Sequence, residues 1–124
     1  MTPDDAAFLA ALPGLAFAFG LTIARVGAAV MLLPGLGEAE LPASVRVGRA
    51  LGLSALLLPG LAPAMPPPPA EPVAVAGMVA AELVTGLWLG WLARLLVQAL
   101  PIAGQIASYM LGLSNVLQPD PELG

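Results

Sequence analysis

Two charged residues, Arg25 and Glu82, lie within long apolar segments of the chain. A charge near the centre of a bilayer is costly, so such a residue normally faces protein or water and pairs with an opposite charge. The pair could line a path for an ion or a proton. We favour a buried lock between helices or subunits, because one pair without further titratable residues along the helices does not make a proton relay.

The composition excludes most other site chemistry. The 124 residues include no Cys and no His, which removes disulfides, thiolate metal sites and the usual zinc and general-base arrangements. The Asp, Glu, Ser and Tyr residues converge in no catalytic motif, so we expect neither an enzyme nor a bound cofactor. With four basic residues against eight acids, the chain has no basic patch, and we expect no nucleic-acid partner.

The chain has the composition of a membrane protein or of part of a membrane assembly. Hydrophobic residues make up 59% of it, and the mean hydropathy is +0.93. Only 10% of the residues are charged, whereas an ordinary soluble domain has about 25%. Asp4 and Asp5 stand where a signal peptide would carry basic residues, which disfavours that alternative. We therefore predict an all-α, membrane-type fold of helical hairpins in a single region, residues 1–124.

Four apolar segments are predicted to form these helices. Residues 14–33 and 73–93 are each long enough to cross a hydrocarbon core of about 30 Å. The second segment starts near Pro42 and is expected to break at Pro59, which leaves it too short to span comfortably; a stiff connection follows at residues 66–69. The fourth segment, residues 95–117, is uncharged and is expected to bend at Pro101 or to separate there from the third.

The arginines predict the orientation of these segments. Arg46 and Arg49 lie between the first and second segments, and Arg94 ends the third. The positive-inside rule then assigns them to the cytoplasm and assigns both termini and the proline connection to the outside. The first and third segments would run in the same direction. Arg25 would lie about 16 Å and Glu82 about 13 Å from the outer ends, close enough in depth to pair.

Small residues at four-residue spacing predict helix contacts. Such residues allow helix backbones to approach closely where lipid supplies no hydrophobic driving force. We interpret these faces as a preference for neighbouring subunits, and packing within the chain is the alternative. The sets are Gly86 and Gly90; Gly104, Ser108 and Gly112; and Gly20, Ala24 and Ala28.

A series of motifs matches a known family in order and spacing. The first part is Arg25, Pro34, Leu41-Pro42 and Arg46, within residues 24–59. The chain resembles the N-terminal region of the family of the flagellar biosynthetic protein FliR and its counterparts in virulence type III secretion systems. Since members are about twice as long, we expect a fragment or a truncated or split gene product that lacks a Q-like second half. The second part of the series is Glu82, Gly86, Gly90, Ala103-Gly104-Gln105, Gly112-Leu113-Ser114 and Asp120-Pro121.

The resemblance implies a structural role in protein export. Members of the family are single-copy subunits that assemble with P- and Q-type partners into a pore-forming export gate. The gate is located in the bacterial inner membrane, in a flagellar basal body or an injectisome base, and passes unfolded proteins. The helices of such gates can be sheathed by partner subunits instead of lipid. A small membrane transporter or channel subunit that uses the Arg25–Glu82 pair is the alternative function.

The resemblance also implies a plug that closes the resting pore. A segment that faces both packed helices and a watery lumen should be small, uncharged and mildly polar, with prolines that prevent helix continuation. An ordinary helix end followed by a Pro-Asp-Pro turn is the alternative. The residues that match the plug are Gly112, Leu113, Ser114, Asn115, Val116, Leu117, Gln118, Pro119, Asp120 and Pro121.

Overall fold

A computed structural model describes residues 2–38 and 40–112, and these residues form helices and connections without a β-strand. Helix α1 spans Pro3–Leu32, α2 spans Ala43–Leu61 and α3 spans Pro72–Met110; a short 3₁₀ helix, Ala62–Ala64, follows α2. By length and composition, α1, α2 with its 3₁₀ extension and α3 could each cross a membrane. The predicted all-α, membrane-type class is therefore confirmed.

Helix α1 begins earlier than the predicted segment because its first turn is well capped. The Thr2 hydroxyl accepts a hydrogen bond from the Asp5 amide at 3.2 Å, and the Asp5 carboxylate accepts one from the Thr2 amide at 2.7 Å. This reciprocal capping box satisfies two amides that a helix start otherwise leaves unpaired. The helix ends at Leu32, just before Leu33 and Pro34, because a residue that precedes proline disfavours the helical conformation.

The prediction that Pro59 breaks the second segment is wrong. Pro59 lies inside α2, which continues to Leu61 and then into the 3₁₀ turn that contains Pro63. A proline removes one amide donor and crowds one carbonyl, which often bends a helix without ending it. Together α2 and the 3₁₀ turn form a span of 22 residues, so this segment is not too short to cross a bilayer.

Residues of the predicted third and fourth segments form a single helix through Met110. Helix α3 has 39 residues, with Arg94 and Pro101 both in its interior. The expected separation of the two segments near Pro101 is therefore wrong within the described residues, because a lone proline does not end a helix of good helix formers. The chain does not turn back after Arg94. At 1.5 Å per residue, α3 is about 58 Å long.

Helix α1 is the centre of the fold, and α2 and α3 each pack against it. Among the described residues, α2 and α3 do not pack against each other. The buried hydroxyls of Thr22 and Ser54 donate to carbonyl oxygens of their own helices, at 2.8 and 2.7 Å. This removes the cost of burying them. Few helix residues are buried, and most of them are small. They are Ala18, Leu21, Thr22, Ala28 and Val30 on α1, Ala50 and Ser54 on α2, and Gly86 and Gly90 on α3.

A tight turn at residues 33–38 follows α1. Gly35 has a φ of +78°, a conformation that glycine adopts without the cost paid by other residues. The amides of Leu36 and Gly37 both donate to the Leu33 carbonyl oxygen, at 3.2 and 2.8 Å. A Cβ on Gly37 would overlap the carbonyl oxygen of Met31. The turn therefore depends on glycine at both positions.

We expect Gly37→Ala to destabilise the chain by about 1–3 kcal/mol, because the added methyl must displace the end of α1. Gly48→Ala is the matched control, since Gly48 lies in α2 with open space around its Cα. The control should be neutral or stabilising by up to about 1 kcal/mol. Thermal unfolding in detergent, followed by circular dichroism, measures both. Equal melting temperatures for the two variants would contradict the described turn.

Candidate functional site

The closest approach between helices is the α1–α3 crossing. A Cβ on Gly86 would overlap the carbonyl oxygen of Arg25 and lie 2.9 Å from the Cβ of Ala28. A Cβ on Gly90 would lie 2.7 Å from the carbonyl oxygen of Ala29. Both glycines are buried. The absence of two side chains thus allows α3 to rest directly on the backbone of α1, and this GxxxG pair is occupied by a helix of the same chain.

The structure brings Arg25 and Glu82 together at this crossing. The Arg25 Nη2 donates to Glu82 Oε1 at 2.9 Å, and the Arg25 Nε contacts Glu82 Oε2. The Glu82 side chain is 17% exposed and the Arg25 side chain 50%. Glu82 precedes Gly86 by four residues and so lies on the same face of α3, one turn away. The ion pair therefore forms one edge of the helix contact.

A second polar link joins the turn after α1 to the other two helices. The Glu38 carboxylate accepts a hydrogen bond from the Gly35 amide at 3.1 Å and pairs with Arg94 Nη2 at 3.4 Å. From α2, Arg49 Nη1 donates to the carbonyl oxygens of Gly35 and Leu36, each at 3.4 Å. Arg49 and Arg94, which were predicted to lie on one side of a membrane, thus meet at one turn.

Sequence reasoning missed Glu38. The available signal was electrostatic: Arg94 interrupts an otherwise uncharged stretch, and Glu38 lies in the short polar loop that follows the parallel helix α1. Because α1 and α3 run in the same direction, the ends of the two predicted segments should meet near this loop. The depths of the charged residues along both segments, which place Arg25 near Glu82, also place Glu38 near Arg94.

An open apolar groove lies beside the crossing. It is lined by Leu32 of α1 and by Val84, Leu87, Trp88 and Trp91 of α3. The two indole rings meet edge to face, with ring centroids 5.8 Å apart. The described residues include no group of three or more acidic side chains that could hold a metal ion. Because its lining is almost entirely apolar, the groove suits an apolar group, such as a side chain or an acyl chain.

The other predicted helix-contact residues of α3 remain uncovered within the described chain. Beyond Arg94, residues 95–110 form what we term the projecting half of α3. Its apolar side chains are largely exposed, with Leu96 at 77% and Leu100 at 79%. A Cβ on Gly104 would have no neighbour within 4 Å, and the same holds for Gly20 of α1. The helix contacts predicted for these residues therefore have no partner within the described chain.

The uncovered residues continue the face that α1 covers. Gly104 follows Gly86 by 18 residues, and Ser108 follows Gly90 by the same interval. Eighteen residues make five turns at 3.6 residues per turn, so both pairs lie on one side of α3 in a regular helix. One helix face thus carries two small-residue contacts, of which α1 occupies the first, and no described residue occupies the second.

Of the predicted plug, only Gly112 is described. It has a φ of +69° and its amide donates to the Tyr109 carbonyl oxygen at 3.2 Å. A glycine in this conformation just after the last helical residue is a common helix terminator. Helix α3 therefore ends at Met110, well before Pro119. The rest of the plug prediction, residues 113–121, lies outside the described residues.

Comparison with known proteins gives the family. The family described as "Bacterial export proteins, family 1" matches residues 16–124. A flagellar biosynthetic protein FliR of Caulobacter vibrioides is 35% identical over 103 residues, which cover 83% of this chain and 41% of that protein. The chain thus spans about two-fifths of the length of this curated relative. No solved structure shows significant similarity to the chain. The resemblance drawn from the sequence motifs is confirmed.

We expect Gly86→Ala and Gly90→Ala each to destabilise the chain by about 1–3 kcal/mol, because either methyl must push α3 away from the backbone of α1. The matched control is Gly77→Ala, at an open position of the same helix. The control should raise stability slightly, by up to about 1 kcal/mol. Unfolding in detergent, followed by tryptophan fluorescence, measures the three variants. A Gly86→Ala variant as stable as the control would contradict the crossing.

We expect Glu82→Gln to destabilise the chain by about 1 kcal/mol, a modest value because the half-exposed Arg25 retains part of its solvation. A double-mutant cycle with Arg25→Gln should give a favourable coupling energy between the two side chains. The same cycle between Arg25→Gln and Glu71→Gln should give none, since Glu71 lies at the start of α3, three turns away. Coupling of equal size in both cycles would indicate a long-range charge effect instead of the pair.

Proposed function

The chain belongs to the bacterial export proteins, family 1, and we propose that it acts as a structural, pore-forming subunit of a flagellar or type III protein export gate. The gate is in the bacterial inner membrane, within a flagellar basal body or an injectisome base, and passes unfolded substrate proteins. The 35% identity to a flagellar biosynthetic protein supports the flagellar assignment. Three long apolar helices support the membrane location.

The observation that carries this proposal is the projecting half of α3. A helix of about 58 Å is nearly twice as long as the hydrocarbon core of a bilayer is thick, and ordinary tilts do not accommodate the difference. Residues 95–110 are nevertheless uncharged and mostly apolar. Part of this surface therefore requires cover from protein. This requirement fits a subunit of an assembly better than a solitary membrane protein.

The partners that would supply this cover are apolar helices of P- and Q-type gate subunits. Gly104 and Ser108 extend the face that already accepts α1 through Gly86 and Gly90. A partner helix placed there would continue the line of α1 along α3, with the same close backbone approach. Lipid covers the apolar surface that remains within the bilayer.

We further propose that Gly112 to Pro121 form the plug of the resting pore. Gly112 supports this role because its left-handed conformation terminates α3 where the proposed plug begins. The residues that follow, through Pro119, are uncharged. A mildly polar segment with a single charge, Asp120, would close a pore without binding a passing polypeptide strongly.

We propose that the Arg25–Glu82 ion pair is a structural lock, that is, a pair that fixes α3 against α1. Glu82 is mostly buried against α1 and lies one turn from the closest backbone contact of the fold. The observation that favours the alternative, a small transporter, is the half-exposed Arg25 of the same pair. Glu82→Gln in a reconstituted system distinguishes the two. Loss of solute transport with intact assembly would favour the transporter, and loss of assembly favours the lock.

We expect Gly104→Leu and Ser108→Leu to lower the amount of P- and Q-type subunits that co-purify with the chain by about tenfold, equivalent to about 1.4 kcal/mol. The large side chains would block the approach of a partner helix. The melting temperature of the chain alone should not fall, because a Cβ at Gly104 has no neighbour within 4 Å among the described residues.

Gly77→Leu is the control for this experiment. It introduces the same side chain at an open position of α3, on the side of the helix opposite Gly86. Co-purification should be unchanged. Recovery of the unsubstituted chain only as a free monomer would contradict the proposal, and so would an equal loss of partners in the control.

A further inference from the structure

Apart from the covalent connection at residues 62–71, helices α2 and α3 are linked only through α1 and the turn that follows it, within the part of the chain that the structure describes. Among the described residues the two helices do not pack against each other. Each of them, however, sends an arginine to the turn at residues 33–38. Arg49 reaches it from α2 and Arg94 reaches it from α3. The turn is therefore the place where side chains of both helices meet.

The turn itself is held in one conformation. The Leu33 carbonyl oxygen accepts hydrogen bonds from two amides of the turn, and the Glu38 carboxylate accepts one from the Gly35 amide. The positive φ of Gly35 and the lack of space at Gly37 leave the backbone few alternatives. Because of these internal hydrogen bonds, we expect the turn at residues 33–38 to move as a unit when Arg49 or Arg94 is displaced.

Arg94 stands at the point where α3 leaves the packed part of the fold. Gly90, one turn earlier, rests on the backbone of α1, and residues 95–107 are all exposed. A force on the projecting half therefore tilts α3 around its contact with α1. Arg94 is the first side chain that passes this tilt to another element. The Glu38 carboxylate that receives Arg94 also bonds to Gly35, whose carbonyl oxygen binds Arg49.

We propose that the turn at residues 33–38 couples α2 to α3, so that displacement of the projecting half is passed through Arg94, Glu38 and Arg49 to α2. The coupling is a property of the chain and does not depend on the export function. Any partner that binds the projecting half and tilts it would thereby reorient α2, on the opposite side of the turn, without touching it.

Distance measurements between spin labels test the coupling in the full chain, reconstituted in lipid nanodiscs. The chain has no Cys, so labels can be placed selectively at Leu56→Cys on α2 and Leu96→Cys on α3, both at exposed positions. A second label pair, at Phe8→Cys on α1 and Val84→Cys on α3, reports the crossing itself. The unsubstituted turn should give a narrow distribution for both pairs.

Two single substitutions each remove one contact of the path from Arg94 through Glu38 to Arg49. Glu38→Ala removes the acceptor for Arg94, and Arg49→Ala removes the donor from α2. Each should raise the population at non-native α2–α3 distances about two- to fivefold, as expected for the loss of a partly exposed ion pair or of partly exposed hydrogen bonds. The α1–α3 distribution should stay narrow, because the glycine crossing is intact. The double variant should broaden the α2–α3 distribution no further than the stronger single variant, because both changes interrupt one path.

The control is Glu40→Ala, which removes an exposed acid two residues away. It should leave both distributions unchanged. The proposal is overturned if the α2–α3 distribution stays narrow in both single variants, or if the control broadens it equally. It is also overturned if the effects of the two variants add, or if the α1–α3 distribution broadens in parallel, since either result indicates general loosening.

Discussion

The fold depends on one close contact, the approach of α3 to the backbone of α1 at Gly86 and Gly90. Neither position has space for a methyl group, because carbonyl oxygens of α1 occupy it. The contact determines that the two helices run in the same direction and in a single register. That register brings Glu82 to Arg25 on one side of the crossing and Arg94 to Glu38 on the other. Both ion pairs are consequences of the backbone contact.

A second consequence is that most of the apolar surface stays uncovered. Since α2 and α3 both use α1 as their partner, neither covers the other, and the core consists of a few small side chains. Large residues such as Leu56 and Leu100 are more than 70% exposed. Apolar side chains suit lipid and partner helices equally well, so hydropathy alone does not distinguish the two. The length of α3 does, because lipid cannot cover all of a helix of about 58 Å.

The sequence supported correct inferences where a single local rule decided the outcome. The all-α class followed from apolar length. The contact between Arg25 and Glu82 is present in the structure, whereas its role stays a proposal. The errors concern prolines. Pro59 was expected to break its helix, and Pro101 was expected to bend the fourth segment or to separate it from the third; α2 and α3 continue through both prolines, and the bend at Pro101 stays a prediction. A proline removes one hydrogen bond, and whether the helix survives depends on the remaining bonds and on packing that the local sequence does not contain. Glu38 was missed for a different reason: it lies in the loop after α1, outside the apolar segments along which depths were compared.

By itself, the sequence determined the class of the protein, its family and the positions at which helices could approach closely, because apolar length, charge content and small-residue spacing are local properties. Only the tertiary structure decided which small-residue face is occupied. Gly86 and Gly90 bind α1, whereas Gly104 and Ser108, on the same side of the same helix, extend beyond its end. The two pairs have the same spacing and chemistry. The difference between the two pairs is that α1 reaches Gly86 and Gly90 but ends before Gly104 and Ser108. Only the packed chain shows where α1 ends relative to α3.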